Sequence, residues 1–297
     1  MYLVFDIGGS FIKYAVIDKT PKIVIKGKQK TPRDSKKELL AIIKNVYQEY
    51  RQYQIVGIAI SAPGLVDIEN GKLVTSGIVT CLEGSYLEKE VSTLCDNLPV
   101  SLENDGKAAA LCESWIGAAK DVDSCAVLVF GSGIGGGIVL DKQILRGKSL
   151  MAGEFSPLFI DKGDNNYVQF AAKASTMSIV RQVQIVLQDD SITGEVMMQK
   201  YQEGHDEITK ILEACFEYIA MVCYNLDVMV NPERICIGGG ISEDAIFIEG
   251  IQKALDKVYQ KAYLFRPLTI IPCQYNNDSN LYGALFTFKN KYRNSLS

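Results

Sequence analysis

Asp6-Ile7-Gly8-Gly9-Ser10-Phe11-Ile12-Lys13 gathers a carboxylate, two glycines, a hydroxyl and an ammonium near the N-terminus. Glycines without Cβ let backbone N–H groups approach a phosphate closely. Ser10 adds a hydroxyl donor and Lys13 a positive charge, and Asp6 is placed to hold magnesium, directly or through water. The plainer reading is a tight hairpin whose glycines serve only the turn. The segment is neither a Walker loop nor a dinucleotide fingerprint. It lacks G-K-[ST], and its turn leads into a strand.

Gly131-Ser132-Gly133-Ile134-Gly135-Gly136-Gly137 carries more glycine than a hairpin turn requires. A following helix would make it a Rossmann turn, but Ile138-Val139-Leu140 reads as a strand, so a phosphate-contacting turn is favoured. Ile237-Gly238-Gly239-Gly240-Ile241-Ser242 follows a buried strand and precedes a helix. It suits either close approach of a planar ring or sugar, or a tight connection capped by Ser242. Leu102-Glu103-Asn104-Asp105-Gly106 opens an Ala-rich helix. By itself this motif favours helix capping, which Asn and Asp commonly provide. The alternative makes Asp105 a general base, kept ionised by the helix N-terminus. In Ala152-Gly153-Glu154, a lone loop Glu is ordinarily just solvated. Converging with Asn104 and Asp105, it would instead suit sugar hydroxyls.

The elements that must position these groups can be read in outline. Val4 to Ile7 and Phe11 to Ile17 read as strands, with a third over 23–28. Ser35 to Tyr50 reads as a helix with Ser35 and Glu38 as a capping box. Strands follow at 55–60 and 100–102, and a helix runs from Asp105 to Trp115. A second cycle opens with strands at 125–130 and 138–140. Helices follow near 174–187 and 207–230, a strand at 234–237, a helix over 243–262, a strand at 268–271 and a closing helix over 280–289. Two glycine-turned hairpins, at 4–18 and 129–141, suggest an internal repeat. That arrangement predicts two phosphate-binding turns on opposite walls of a cleft.

The 297 residues predict two lobes. The division expected is 1–117 with 279–297, a small lobe with a returning C-terminal helix, and 118–278, a larger one. Hydrophobic residues make up 47% and charged residues 22%, an ordinary globular balance. The net charge of −4 shows no basic face, which argues against a nucleic-acid partner. The Lys-rich stretch from Lys19 to Lys37 is broken by Pro21 and Pro32 and is expected on exposed strand edges and loops. No apolar run approaches a membrane span and no signal peptide is evident, so a cytoplasmic protein is expected. Eight cysteines without a C-x-x-C pair read as buried free thiols, and a single histidine, His205, argues against zinc.

In order and spacing, DIGGSFIK at 6–13, ISAPG at 60–64, LENDGKAAA at 102–110, GSGIGGGIV at 131–139, AGE at 152–154 and IGGGIS at 237–242 resemble the ROK family (repressors, open reading frames, kinases). The resemblance spans almost the whole chain. It implies an α/β, two-lobed actin-like ATPase fold (a ribonuclease H-like duplication) and an ATP- and Mg2+-dependent sugar kinase. It implies Asp105 as catalytic base on the 6-hydroxyl, with Gly64, Asn104 and Glu154 on the sugar. It further implies Gly8, Gly9, Ser10 and Lys13 on one phosphate wall, Gly131, Ser132, Gly133 and Gly135 on the other, and Gly238, Gly239 and Gly240 beside the adenosine. A homodimer is expected on the same ground.

Two departures shape the expectation. Many members continue G-E-I-G-H and carry a Cys-rich zinc loop. This chain reads Gly153-Glu154-Phe155-Ser156-Pro157, with no cysteine between Cys125 and Cys215. No zinc is therefore expected. The missing His removes a contact to the anomeric end, so a substituent there is expected to fit. This resembles the β-glucoside kinase branch acting on cellobiose-type glycosides, with glucose and N-acetylmannosamine as other substrates. Family repressors carry a winged helix ahead of the first glycine motif; here that motif begins at Asp6, so a DNA-binding regulator is not expected. The rival readings are a non-catalytic sugar sensor and a filament-forming actin relative.

Overall fold

The computed structural model describes residues 1–162, 166–262 and 268–293. In chain order the elements are β1 (Tyr2–Ile7), β2 (Phe11–Ile17), β3 (Ile23–Lys30), α1 (Lys36–Tyr50), β4 (Gly57–Ala62), β5 (Val66–Asp67), β6 (Lys72–Leu73), α2 (Leu87–Leu94), β7 (Val100–Asn104) and α3 (Asp105–Trp115). There follow β8 (Cys125–Phe130), β9 (Ile134–Leu140), β10 (Gln143–Ile144), β11 (Phe159–Lys162), β12 (Tyr167–Gln169), α4 (Phe170–Ala174), α5 (Thr176–Leu187), α6 (Gly194–Gln202) and α7 (Asp206–Val230). The chain closes with β13 (Arg234–Gly238), α8 (Ala245–Lys261), β14 (Ile270–Pro272) and α9 (Ser279–Lys291).

The chain divides into two compact units. The first comprises Met1–Trp115, Arg146–Ala152 and Asp278–Ser297, and the second Ile116–Leu145 and Gly153–Asn277. The first unit holds a five-stranded sheet ordered β3-β2-β1-β4-β7, and the second one ordered β10-β9-β8-β13-β14. In each, the first three strands pair antiparallel and the last three parallel. The loose repeat in the glycine hairpins is thus a repeat of whole sheet topology.

In the first unit β1 and β4 are buried along their full length because both sheet faces are covered. Leu3, Phe5 and Ile7 join Leu39, Ile43 and Val46 of α1 in one core. Tyr2, Val4 and Ala59 join Leu281, Ala284, Leu285 and Phe288 of α9 in another. A buried run on both faces is what a central strand between helices requires. Strand β3 lies at the sheet edge with Lys26, Lys28 and Lys30 along it. In the second unit α7 presents Ile208, Leu212, Cys215, Ile219 and Cys223 to the sheet, the helical spacing of a buried stripe.

Ser35 caps α1, accepting from the Glu38 N–H at 3.3 Å, but its own N–H donates to the Pro32 carbonyl at 3.4 Å. The cap is therefore as expected, while Pro32 takes the hydrogen bond that a capping box would give to Glu38. The helix expected near 174–187 is α5, capped by the Ser175 hydroxyl, and a short, unexpected α4 precedes it. The helix after β13 starts at Ala245 rather than 243. Asp244 caps it, and Ser242 instead donates to the Gly239 carbonyl at 2.8 Å.

Candidate active site

The first unit brings the LENDG and ISAPG motifs together. Strand β7 pairs with β4, so Asn104 lies beside Ala62. The Asn104 carboxamide donates to the Gly64 carbonyl at 2.8 Å and to Asp105 Oδ1 at 3.1 Å. Its oxygen accepts the Lys107 N–H at 2.8 Å. Asn104 thus takes the capping hydrogen bond from the Lys107 N–H. Asp105 Oδ1 also accepts the Gly106 N–H at 2.8 Å, so its carboxylate is oriented by both neighbours at the positive end of α3.

Beneath it lies Glu103, fully buried. Arg146 holds it with a two-pronged contact, Nη1 to Oε1 at 2.8 Å and Nη2 to Oε2 at 2.6 Å. The Thr287 hydroxyl and the Asn104 N–H donate to the same carboxylate, each at 2.9 Å. The local reading of the sequence missed Glu103, Arg146 and Thr287. Their only trace was a Glu at a position inside a buried strand, which demands a cation somewhere in the chain.

Asp6 ends β1 almost fully buried. Asn280 donates to its Oδ1 at 3.1 Å and Ser61 at 3.3 Å, and Lys13 stands 3.6 Å from Oδ2. Burial pushes the Asp6 carboxyl up, opposed by Lys13, Asn280 and Ser61. Lys13 faces Asp6 because the two are cross-strand partners in the β1–β2 ladder. In the Gly8-Gly9-Ser10 turn, the Gly8 N–H donates to the Phe11 carbonyl at 3.0 Å, and Thr31 donates to the Gly8 carbonyl at 2.6 Å. Arg33 donates to the Gly9 carbonyl. Gly9 and Ser10 line a cavity of about 710 Å³ with Lys30 and Arg33, a basic pair that the motif reading did not include.

In the second unit the two remaining glycine motifs meet. Gly131, Ser132 and Gly240 line one cavity of about 1470 Å³, together with Lys173, Thr176 and Arg181. The Gly131 N–H donates to the Gly133 carbonyl at 2.9 Å, tightening the turn, and Gly135 pairs with Val129 in the sheet. Gly238 ends β13. Gly239 has φ +96°, and a Cβ there would stand 2.8 Å from the Phe130 carbonyl carbon, so the two glycine turns touch backbone to backbone. Beside Gly240 there is open space. Lys173, Thr176 and Arg181 come from helices with no motif to mark them.

Glu154 is half-buried in the turn after Gly153. Ser156, two residues on, accepts the Ile134 N–H at 2.8 Å and donates to the Ile134 carbonyl at 3.1 Å. This hydroxyl ties the AGE loop to the Gly131–Gly133 turn. Among the described residues, no group of three or more His, Cys, Asp or Glu is arranged to hold a metal ion. No helix among them is long and apolar enough to cross a membrane.

The ROK family model matches residues 2–291. The chain belongs to the ROK family. A β-glucoside kinase of Listeria monocytogenes is 30% identical over 96% of each chain. An N-acetyl-D-glucosamine kinase of Vibrio atlanticus is 27% identical over 96% of this chain and 99% of its own. A ROK family protein of Streptococcus pneumoniae, solved in complex with sucrose, superposes with a TM-score of 0.89 at 29% identity, covering 98% of this chain and 99% of its own. The duplicated sheets are those of the α/β actin-like ATPase fold expected for ROK sugar kinases.

Proposed function

We propose that this ROK protein transfers the γ-phosphoryl group of ATP to the 6-hydroxyl of a sugar, with cellobiose-type β-glucosides favoured as acceptors. The chain is a sugar kinase by the company of its relatives. The observation that carries the mechanism is the Asp105 carboxylate, held at the start of α3 by Asn104 and the Gly106 N–H. Phosphoryl transfer asks for little covalent chemistry from a protein beyond orientation, charge and one proton acceptor. Asp105 accepts the hydroxyl proton as that oxygen forms its bond to the γ-phosphorus and the bond to ADP breaks. Asn104, Gly64 and Glu154 hold the sugar. Gly131, Ser132, Gly133 and Gly135 serve the phosphates, and Gly238, Gly239 and Gly240 the adenosine, as do Gly8, Gly9, Ser10 and Lys13 on the phosphate side.

Asp6 fits a magnesium ion as a hard carboxylate donor. Both its oxygens are already engaged by Asn280, Ser61 and Lys13, which favours contact through bound water. Magnesium would neutralise the phosphate oxygens. A homodimer is proposed on family resemblance.

Three observations support a substituted anomeric end. Pro157 stands where many members have His. The Listeria relative is named a β-glucoside kinase. The pneumococcal neighbour holds sucrose, a sugar whose anomeric carbons are both substituted. The second reading, a monosaccharide kinase, draws on the Vibrio relative's name.

The test is ADP release with ATP and magnesium over glucose, N-acetylglucosamine, N-acetylmannosamine, cellobiose, gentiobiose and an aryl β-glucoside. Turnover of the β-linked glycosides is expected, and turnover of free monosaccharides alone discards the glycoside reading. Asp105→Asn keeps the Oδ1 acceptor and is expected to lower kcat about 10²–10⁴-fold while sugar binding persists. Sugar binding without turnover in the wild type would favour a sensor.

A further inference from the structure

Arg146 occupies a particular place in the chain. The segment Arg146–Ala152 belongs to the first unit, although the residues on either side of it belong to the second. It closes on itself, the Ala152 N–H donating to the Arg146 carbonyl at 3.1 Å, and the next residues are Gly153 and Glu154. Its guanidinium grips Glu103, whose Oε1 also accepts the Asn104 N–H, and Asn104 in turn donates to Asp105. Hydrogen bonds therefore lead from the Arg146 guanidinium through Glu103 and Asn104 to the carboxylate of Asp105.

A buried ion pair is a poor means of stabilising a fold, since desolvation offsets most of the attraction. What an Arg–carboxylate fork supplies is direction. Two parallel N–H···O contacts fix the plane of both groups, which a lysine cannot do. The Glu103 half of the fork is fully buried and meets no solvent-borne ligand. The fork is joined to the Asn104 N–H, the Thr287 hydroxyl and, through the Arg146 carbonyl, the Ala152 N–H.

We infer that Glu103 and Arg146 are positioning residues that set the sugar-recognition groups Asn104 and Asp105 jointly. The inference rests on the kinase reading above. It assigns to one side chain, Arg146, the registration of a base that lies 41 positions before it in the chain. Neither Asn104 nor Thr287, which the fork holds, lines the Gly131 and Gly240 cavity, and neither does Glu103 or Arg146.

The experiment is steady-state kinetics of full-length Arg146→Ala, Arg146→Lys and Glu103→Gln beside the wild type, varying sugar and ATP separately. Arg146→Ala is expected to lose about 10²-fold in kcat/KM for the sugar, the size of effect a misplacement near 1 Å produces. KM for ATP is expected to stay within about twofold. The Arg146 side chain is 19% exposed, so guanidinium at tens of millimolar can enter the vacated space and is expected to restore about tenfold of the loss, with ammonium restoring none. Arg146→Lys is expected to lose about tenfold with ATP unaffected, and it carries the test if the Ala variant does not fold. Wild-type kinetics in the Arg146 variants overturn the inference. So does a loss that falls on sugar and ATP alike and ignores guanidinium, because that is the mark of general destabilisation. An inactive wild type removes the kinase reading itself, so the two failures are distinguishable.

Discussion

Replacing Gly283 by Ala tests the packing that carries Asp105. Gly283 is a buried residue of α9, facing Ala108 of α3. A methyl carbon at 283 would stand 2.7 Å from the Ala108 Cα and nearer still to its carbonyl oxygen. Carbon atoms pack best about 3.5–4.0 Å apart, so the two helices must separate by on the order of 1 Å. No rotamer change can relieve the clash, because backbone opposes backbone. Overpacking of this kind costs about 1–3 kcal/mol, and the upper end applies here. Alanine recovers about 1 kcal/mol of helix propensity over glycine, leaving a net loss near 2 kcal/mol. With a urea slope of about 2 kcal/mol per molar, the midpoint should fall by about 1 M. The only tryptophan of the chain, Trp115, ends α3 with its ring centroid 5.0 Å from that of Phe286 on α9. Its emission therefore reports this interface directly in a urea titration. Because Asp105 opens α3, kcat should fall as well. Gly240→Ala, which adds its methyl to open space, serves as the control and should leave the midpoint in place. An unchanged midpoint and emission in Gly283→Ala would refute the reasoning that glycine sets the distance between α3 and α9.

Gly239→Ala, strained at φ +96° and set against Phe130, should raise KM for ATP at least about tenfold while sugar affinity by calorimetry is kept. Asp6 has its carboxyl raised by burial above the usual 3.8, so it favours folding at pH values below that and loses this contribution as the pH climbs through the raised value. Asp6→Asn should therefore increase the urea midpoint at pH 7–8, with the gain shrinking toward pH 4, while magnesium-dependent turnover falls about 100-fold or more. The cysteines form no disulfide, and all but Cys81 are buried; Cys81 is half-buried, and desolvation raises its thiol pKa. A thiol reagent at pH 7 should label at most one group slowly in the native protein and eight after denaturation.

What could be read from the sequence was local. Phe11 to Ile17 and Asp105 to Trp115 are a strand and a helix with the expected bounds, because a short apolar run after a glycine turn and an Ala-rich run state their structure without help. The Gly131 turn leads into β9 as expected, which disposes of the Rossmann alternative. Tertiary partners were beyond reach. Glu103 and Arg146 are 43 residues apart with nothing in either neighbourhood to name the other. Lys173, Thr176 and Arg181 join the Gly131 cavity only because α4 and α5 fold over it. Ser242 was a plausible cap from spacing alone, but the tight turn at Gly239 takes its hydroxyl, and Asp244 does the capping. Asn104 and Asp105 were indistinguishable as caps until the geometry divided the labour between them.

Helix α9 has a bearing on how the chain is made. The ribosome delivers β1 and β4 before the second unit, yet their second face, with Tyr2, Val4 and Ala59, packs against Leu281, Ala284, Leu285 and Phe288 of α9. Those residues emerge only after the second unit. Throughout translation of the second unit, the first therefore waits with an apolar sheet face uncovered, a natural substrate for chaperones and a natural site for nascent chains to stick. A ribosome stalled before codon 279 would release a chain that holds the intact Gly8, Asn104 and Asp105 motifs but lacks the helix that buries the sheet carrying them.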